Sequence, residues 1–225
     1  WRENRRSDNV EDRRSRGVPG GAAGGIGGIS LIVILLLAVA LGMDPTQLLE
    51  SADYSSGTGG EQSKLTAQEQ DLLADHVSLV LGDTEVTWSS IFSQELGKQY
   101  IEPKLVLFSG AVDSACGYAE SATGPFYCPA DQKVYIDLEF FYELQDRFGA
   151  PGDFAQAYVI SHEIGHHVQN LVGTSNYVHR AQSRVSEREA NQLSVSQELQ
   201  ADCYAGVWAN RAQSRNLVLE RGDLE

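Results

Sequence analysis

The stretch "VISHEIGHHVQN", Val159 to Asn170, sets ionisable side chains inside an otherwise apolar run. Around it Phe154, Ala157, Tyr158, Ile164, Val168 and Leu171 recur at helical spacing, between "PGD" (151–153) and Gly173. A short polar residue starts a helix by accepting a backbone N–H, and glycine ends one. The pattern predicts one helix over 154–172 with Asp153 as its N-cap. On that helix His162 and His166 are four apart and project from one face, where their imidazole nitrogens can grip a single metal ion. Glu163, one step round, can reach a water at that metal. This is the HExxH arrangement. Two neutral histidines leave zinc cationic enough to acidify water, and the adjacent carboxylate, Glu163, takes the proton as general base. The alternative is a pair of core histidines, each satisfied by backbone carbonyls.

A catalytic zinc takes three protein ligands and keeps one position open. The extended form HExxHxxGxxH is excluded, because Gln169 and Val172 stand where Gly and His are required. A separate helix must supply the third ligand. Residues 189–213 read as a long helix with Leu193, Leu199, Cys203, Val207 and Trp208 near one face, and within it "ELQAD" sets Glu198 and Asp202 four apart. Acids on the buried side of a helix are costly unless a cation faces them, and zinc with its histidines is such a cation. Glu198 is therefore read as the third ligand. Asp202 is read as the acceptor that holds a ligand imidazole N–H, orienting the ring and raising its basicity. Glu187 and Glu189 are weaker ligand candidates, since "RVSEREANQ" reads as exposed.

Upstream, Leu72, Leu73, Val77, Val80 and Leu81 and then Trp88, Ile91 and Phe92 suggest two scaffold helices. His76 lies among them as a structural or solvent-facing histidine. "KLVLF" (104–108) and "GPFYCPADQKVYID" (124–137) change period to strands around a Pro/Asp turn, which predicts a small antiparallel hairpin. Cys116 and Cys128 flank it and are candidate disulfide partners outside the cytoplasm, whereas Cys203 reads as a small buried hydrophobe.

The 225 residues, 42% of them hydrophobic, suffice for one sizeable core plus appendages. Charge is unevenly spread. Residues 1–20 hold six of the 17 basic residues against four of the 31 acids, so everything after Met43 is strongly acidic. Between lies an uncharged stretch, Gly17 to Met43, with a dense apolar core from Ile29 to Leu41, close to the roughly 20 residues that span a bilayer. A cleavable signal peptide, with "AVA" (38–40) as its processing site, is the rival reading; the long Arg-rich lead favours an uncleaved anchor. The positive-inside tendency then keeps the arginines cytoplasmic and sends the rest across. The expected organisation is an Arg-rich cytoplasmic tail (1–20), a single-pass anchor in the cell (inner) membrane (21–43), a Ser/Gly-rich linker (44–65) and an extracytoplasmic domain (66–225). The opening Trp1 and the unpunctuated "ERGDLE" suggest a piece of a longer chain. An acidic balance argues against nucleic acid as a partner.

Three stretches, "SACGYAESATGPFYCPADQKVYIDLEFF", "AYVISHEIGHHVQNLVG" and "LSVSQELQADCYAGVWA", resemble the bacterial neutral zinc metallopeptidase family, membrane-anchored and similar in ligand spacing to gluzincins. The resemblance runs from about Thr84 to Arg221. It implies a mainly helical α+β zincin-like domain with a small antiparallel sheet behind a transmembrane helix. It further implies zinc on His162, His166 and Glu198, Glu163 as base, and a peptide or protein as substrate. The family continues past the position of Asp223, so a transition-state donor located there has no counterpart in this chain. Tyr177 and His179 are the nearby candidates for that role. A non-peptidase zinc hydrolase would share the same four residues. A tethered binding protein with a structural zinc would need no base.

Overall fold

The computed structural model describes residues 5–15, 63–148 and 152–215. In chain order they form β1 (Val10–Asp12), α1 (Ala67–Gln94), β2 (Lys104–Phe108), β3 (Ala111–Ser114), β4 (Gly117–Glu120), β5 (Phe126–Cys128), β6 (Lys133–Asp137), α2 (Glu139–Phe148), α3 (Asp153–Val172), α4 (Thr174–Gln182) and α5 (Glu187–Ser214). The α+β class holds, with helices predominating. Among the described residues no helix is long and apolar enough to cross a membrane. The apolar run assigned to an anchor (21–43) and the linker as far as residue 62 lie outside the described residues.

Thr66 opens α1 with a capping box: its hydroxyl accepts the Glu69 N–H, and the Glu69 carboxylate accepts the Thr66 N–H. The 28 residues that follow are one helix where the apolar spacing suggested two. The apparent break, Asp83-Thr84-Glu85, is polar yet buried, and other elements satisfy it. Asp83 accepts from the Trp208 indole N–H at 2.8 Å and from Arg215 at 2.7 Å, while Glu85 accepts from Arg5, Ser7 and Asn9. With those bonds made, the helix runs on through the polar stretch.

The main sheet has the order β1-β2-β6-β5. The β5–β6 hairpin is antiparallel, as its turn implied, but β1–β2 and β2–β6 are parallel, with Leu105 opposite Val134. The sheet is therefore mixed, which corrects the purely antiparallel expectation. β2 and β6 are buried along nearly their whole length, the mark of central strands covered on both faces. A separate antiparallel pair, β3–β4, is stapled to the end of β5 by the Cys116–Cys128 disulfide.

Two further expectations are revised. The domain does not begin at 66: residues 5–15 of the arginine-rich lead supply β1, because the edge of β2 offers unpaired peptide groups and the buried Glu85 needs donors. The buried face of α5 also differs from the stripe read from its large residues. Leu199 is 53% exposed and Cys203 is exposed, whereas Glu198, Ala201, Ala205, Trp208 and Ala212 face inward. Small residues win there because α5 crosses α3 closely. A Cβ built on Gly165 would lie 2.9 Å from the Ala201 carbonyl oxygen.

Candidate metal centre

The helix that carries His162, Glu163 and His166 is held at both ends. Gly173 closes α3 in the left-handed region (φ 91°), where its N–H bonds back to Gln169 and Asn170. At the start, Gly152 is the N-cap and Asp153 is the first helical residue, where a carboxylate complements the helix dipole. In α5 a second capping box, Ser186 with Glu189, fixes the phase of the helix that presents Glu198.

The close crossing of α3 and α5 brings three ligand-type atoms together. The Glu198 carboxylate oxygen lies 3.3 Å from His162 Nε2 and 3.2 Å from His166 Nε2, and all three ligand atoms fall within 4.8 Å of one another. Each ring is turned by a partner on its other nitrogen. His162 Nδ1 is 2.8 Å from Asp202 Oδ1, so the role assigned to Asp202 from spacing has a geometric counterpart. His166 Nδ1 is 3.0 Å from Gln169 Oε1. An imidazole that donates through Nδ1 leaves its Nε2 lone pair for a metal.

Electrostatics agree with that use. Burial works against charge on His162, but hydrogen bonds to Asp202 and Glu198 outweigh it and push its pKa up to about 10 in the metal-free chain. His166 is raised for the same reason, with Glu198 as its partner. Burial would raise Glu198, yet the two imidazoles hold it down at about 2. The pocket thus stabilises positive charge at the point where the three side chains converge. Two imidazoles and a carboxylate are a donor set suited to zinc.

Glu163 is 1% exposed, and burial raises its pKa; the charges of His166 and His162 and the Tyr127 backbone N–H favour its ionised form. Its Oε1 has no hydrogen-bond partner among the described residues. An orphaned buried oxygen costs roughly 1–3 kcal/mol, the signature of a group whose partner comes from outside the protein.

Five supporting residues were not legible from spacing. Gln169 is fully buried and does two jobs: it accepts from His166 and donates to the Gln197 carbonyl at 2.6 Å and to Gln200 at 3.1 Å, tying α3 to α5. An amide three residues after the second histidine was the available signal. Tyr158, one turn before His162, donates to the same Asp202 oxygen at 2.7 Å. His167 donates from Nε2 to the Ile101 carbonyl at 2.7 Å and accepts at Nδ1 from the Tyr127 hydroxyl at 3.0 Å; burial lowers its pKa and keeps it neutral. Asn170 also donates to that hydroxyl, so β5 is fastened to the face of α3 beside the candidate ligands.

The remaining candidates lie elsewhere. Tyr177 is 64% exposed and His179 is exposed on α4, and neither belongs to the cluster. Glu187 and Glu189 are exposed at the start of α5, Glu189 being spent on the capping box.

Comparison with known proteins agrees with this picture. Residues 1–225 match the family described as "Putative neutral zinc metallopeptidase". The uncharacterized protein YpfJ of Escherichia coli (strain K12) is 45% identical over 232 residues, covering 100% of this chain and 79% of the relative. The uncharacterized protein Rv2575 of Mycobacterium tuberculosis (strain ATCC 25618 / H37Rv) is 39% identical over 184 residues, covering 79% of this chain and 59% of the relative. No solved structure matches the chain. Matched along its whole length by that family, and with two histidines and a glutamate gathered where a zinc ligand set belongs, the chain belongs to the neutral zinc metallopeptidase family.

Proposed function

We propose that the chain is a zinc-dependent peptidase that hydrolyses peptide bonds, with His162, His166 and Glu198 as metal ligands and Glu163 as general base. The observation that carries this reading is the pairing of a three-ligand cluster with a buried carboxylate oxygen that has no partner of its own. When bound, zinc supplies the Lewis acidity that brings a water's pKa down to about 7. Glu163 takes the proton from the attacking water and delivers it to the leaving amine nitrogen. Its buried setting raises its pKa, which suits both halves of that transfer. Asp202 and Gln169 hold the two imidazoles in the tautomer that binds metal.

A peptide has a natural place beside these groups. β5 lies at the end of the sheet, hydrogen-bonded to β6 on one side. Its Tyr127 is clamped to His167 and Asn170 on the metal-bearing helix. An extended substrate adding to β5 by main-chain hydrogen bonds would run alongside Glu163. A structural zinc is the rival; such sites are closed by four protein ligands and have no use for a buried base. The disulfide between Cys116 and Cys128 supports an oxidising, extracytoplasmic location for the domain, and the apolar stretch from Ile29 to Leu41 supports attachment to the cell membrane.

Glu163→Gln tests the assignment. The amide keeps the size of the side chain but cannot take the proton, so zinc content by elemental analysis should stay near that of the parent while cleavage of a mixed peptide library collapses. Cleavage that survives the substitution, or that resists a chelator, would overturn the proposal.

A further inference from the structure

The arginine-rich lead carries the strongest cue that the chain's two ends lie on opposite sides of a membrane, and the structure uses those arginines differently. Each of the four that are described meets a carboxylate: Arg5 meets Glu85, Arg6 meets Asp75 at 2.7 Å, Arg13 meets Glu11, and Arg14 meets Asp12 at 2.6 Å and Asp71 at 3.3 Å. Glu85, Asp75 and Asp71 all belong to α1. Charges neutralised on the domain's own acids are a poor topology signal.

The docking is specific as well as electrostatic. Val10, Glu11 and Asp12 stand in parallel register with Leu105, Val106 and Leu107. Before the strand, the Ser7 N–H donates to the Ser78 carbonyl of α1 at 2.9 Å; after it, the Arg13 N–H donates to the Leu107 carbonyl at 2.8 Å. Glu85 is 1% exposed, and its hydrogen-bond donors among the described residues are Arg5, Ser7 and Asn9, all from the lead. A buried carboxylate supplied only from one segment records that segment's presence in the native fold. Gly82 records it again. A Cβ at this position would sit 2.5 Å from the Arg5 carbonyl oxygen and 3.2 Å from the Ser7 nitrogen, so the middle of α1 carries a helix-weakening glycine where the backbone of the lead lies against it.

We infer that residues 5–15 are an integral part of the catalytic domain and stay on its side of any membrane to which the chain is attached. A hydrogen-bonded pair of strands cannot form across a bilayer. A cytoplasmic N-terminus combined with an extracytoplasmic domain is therefore incompatible with β1. This inference is independent of the proposed chemistry, because it uses none of the metal-site residues.

The test uses the whole chain, expressed in a bacterial cell on a Cys203→Ser background. Single cysteines are placed at Asp8 and at Lys98, both exposed, and intact and lysed cells are treated with a membrane-impermeant maleimide. The expected result is equal behaviour at the two positions, both labelled or both protected in intact cells. Labelling at one with protection at the other would overturn the inference, as would a mature protein lacking residue 8. A second arm replaces Arg6 and Asp75 by cysteine in the same chain, because their side chains meet in the structure. A short bis-maleimide, which replaces the reach of the arginine side chain, should link the two within the cell envelope preparation, and no link between them would overturn the docking itself.

Discussion

Gly165→Ala separates what helix propensity expects from what the packing of α3 on α5 requires. Glycine inside a helix is destabilising by about 1 kcal/mol relative to alanine, so propensity alone makes this a stabilising change. The structure reverses that expectation. The new methyl would lie 2.9 Å from the Ala201 carbonyl oxygen and 3.1 Å from its Cα, where ordinary contacts start at 3.4 Å, and both atoms are backbone that cannot swing aside. The helices must part by about half an ångström, and overpacking of this kind costs roughly 1–3 kcal/mol. Without metal, α5 can move away, and the propensity gain offsets part of the strain. Zinc would draw Glu198, three residues before Ala201, back toward His162 and His166, so the strain reappears as lost affinity, about 5- to 150-fold. Zinc affinity by competition with a fluorescent chelator, read beside a thermal melt of the metal-free protein, decides the matter. Parental zinc affinity together with a raised melting temperature would refute the close crossing as the device that sets the ligand geometry.

Other perturbations probe neighbouring links. Asp202→Asn and Gln169→Leu should each weaken zinc binding by about 10- to 100-fold while leaving every ligand in place, since the first exchanges a charged acceptor for a neutral amide and the second removes the acceptor that turns an imidazole; unchanged titrations would remove these residues from the site. In the metal-free chain His162 holds its proton up to about pH 10, and that proton must leave for zinc to bind. Affinity should therefore fall as pH falls, by about tenfold per unit for each proton displaced, and a flat profile would contradict the cluster's electrostatics. Replacing Cys116 and Cys128 together by serine should lower the stability of the folded protein by roughly 3 kcal/mol in chemical denaturation, given the short loop they close. A loss indistinguishable from zero would show that the β3–β4 pair is held by other means.

The sequence by itself determined the helix that carries His162, Glu163 and His166, and it singled out Glu198 as the acid that folding gathers beside the two histidines. Histidines four apart, a carboxylate beside them and an ExxxD pair downstream are local patterns, and helical periodicity converts spacing into facing without tertiary information. The β5–β6 hairpin was legible for the same reason, because its turn chemistry lies between its strands. Tertiary structure alone decided the rest. Gln169, Tyr158 and the Tyr127–His167–Asn170 clamp act through partners 28 to 44 positions away, and no one-dimensional period links such pairs. The buried face of α5 was misread from its large residues, since a close helix crossing selects alanine and leaves leucine outside. The largest revision, β1, came from composition. Arginines look like a solvated lead until their carboxylate partners, from 57 to 80 positions away on α1, are brought against them by folding. Charge patterning records which groups a segment carries, whereas the partner of each charge is set by the path of the backbone through space.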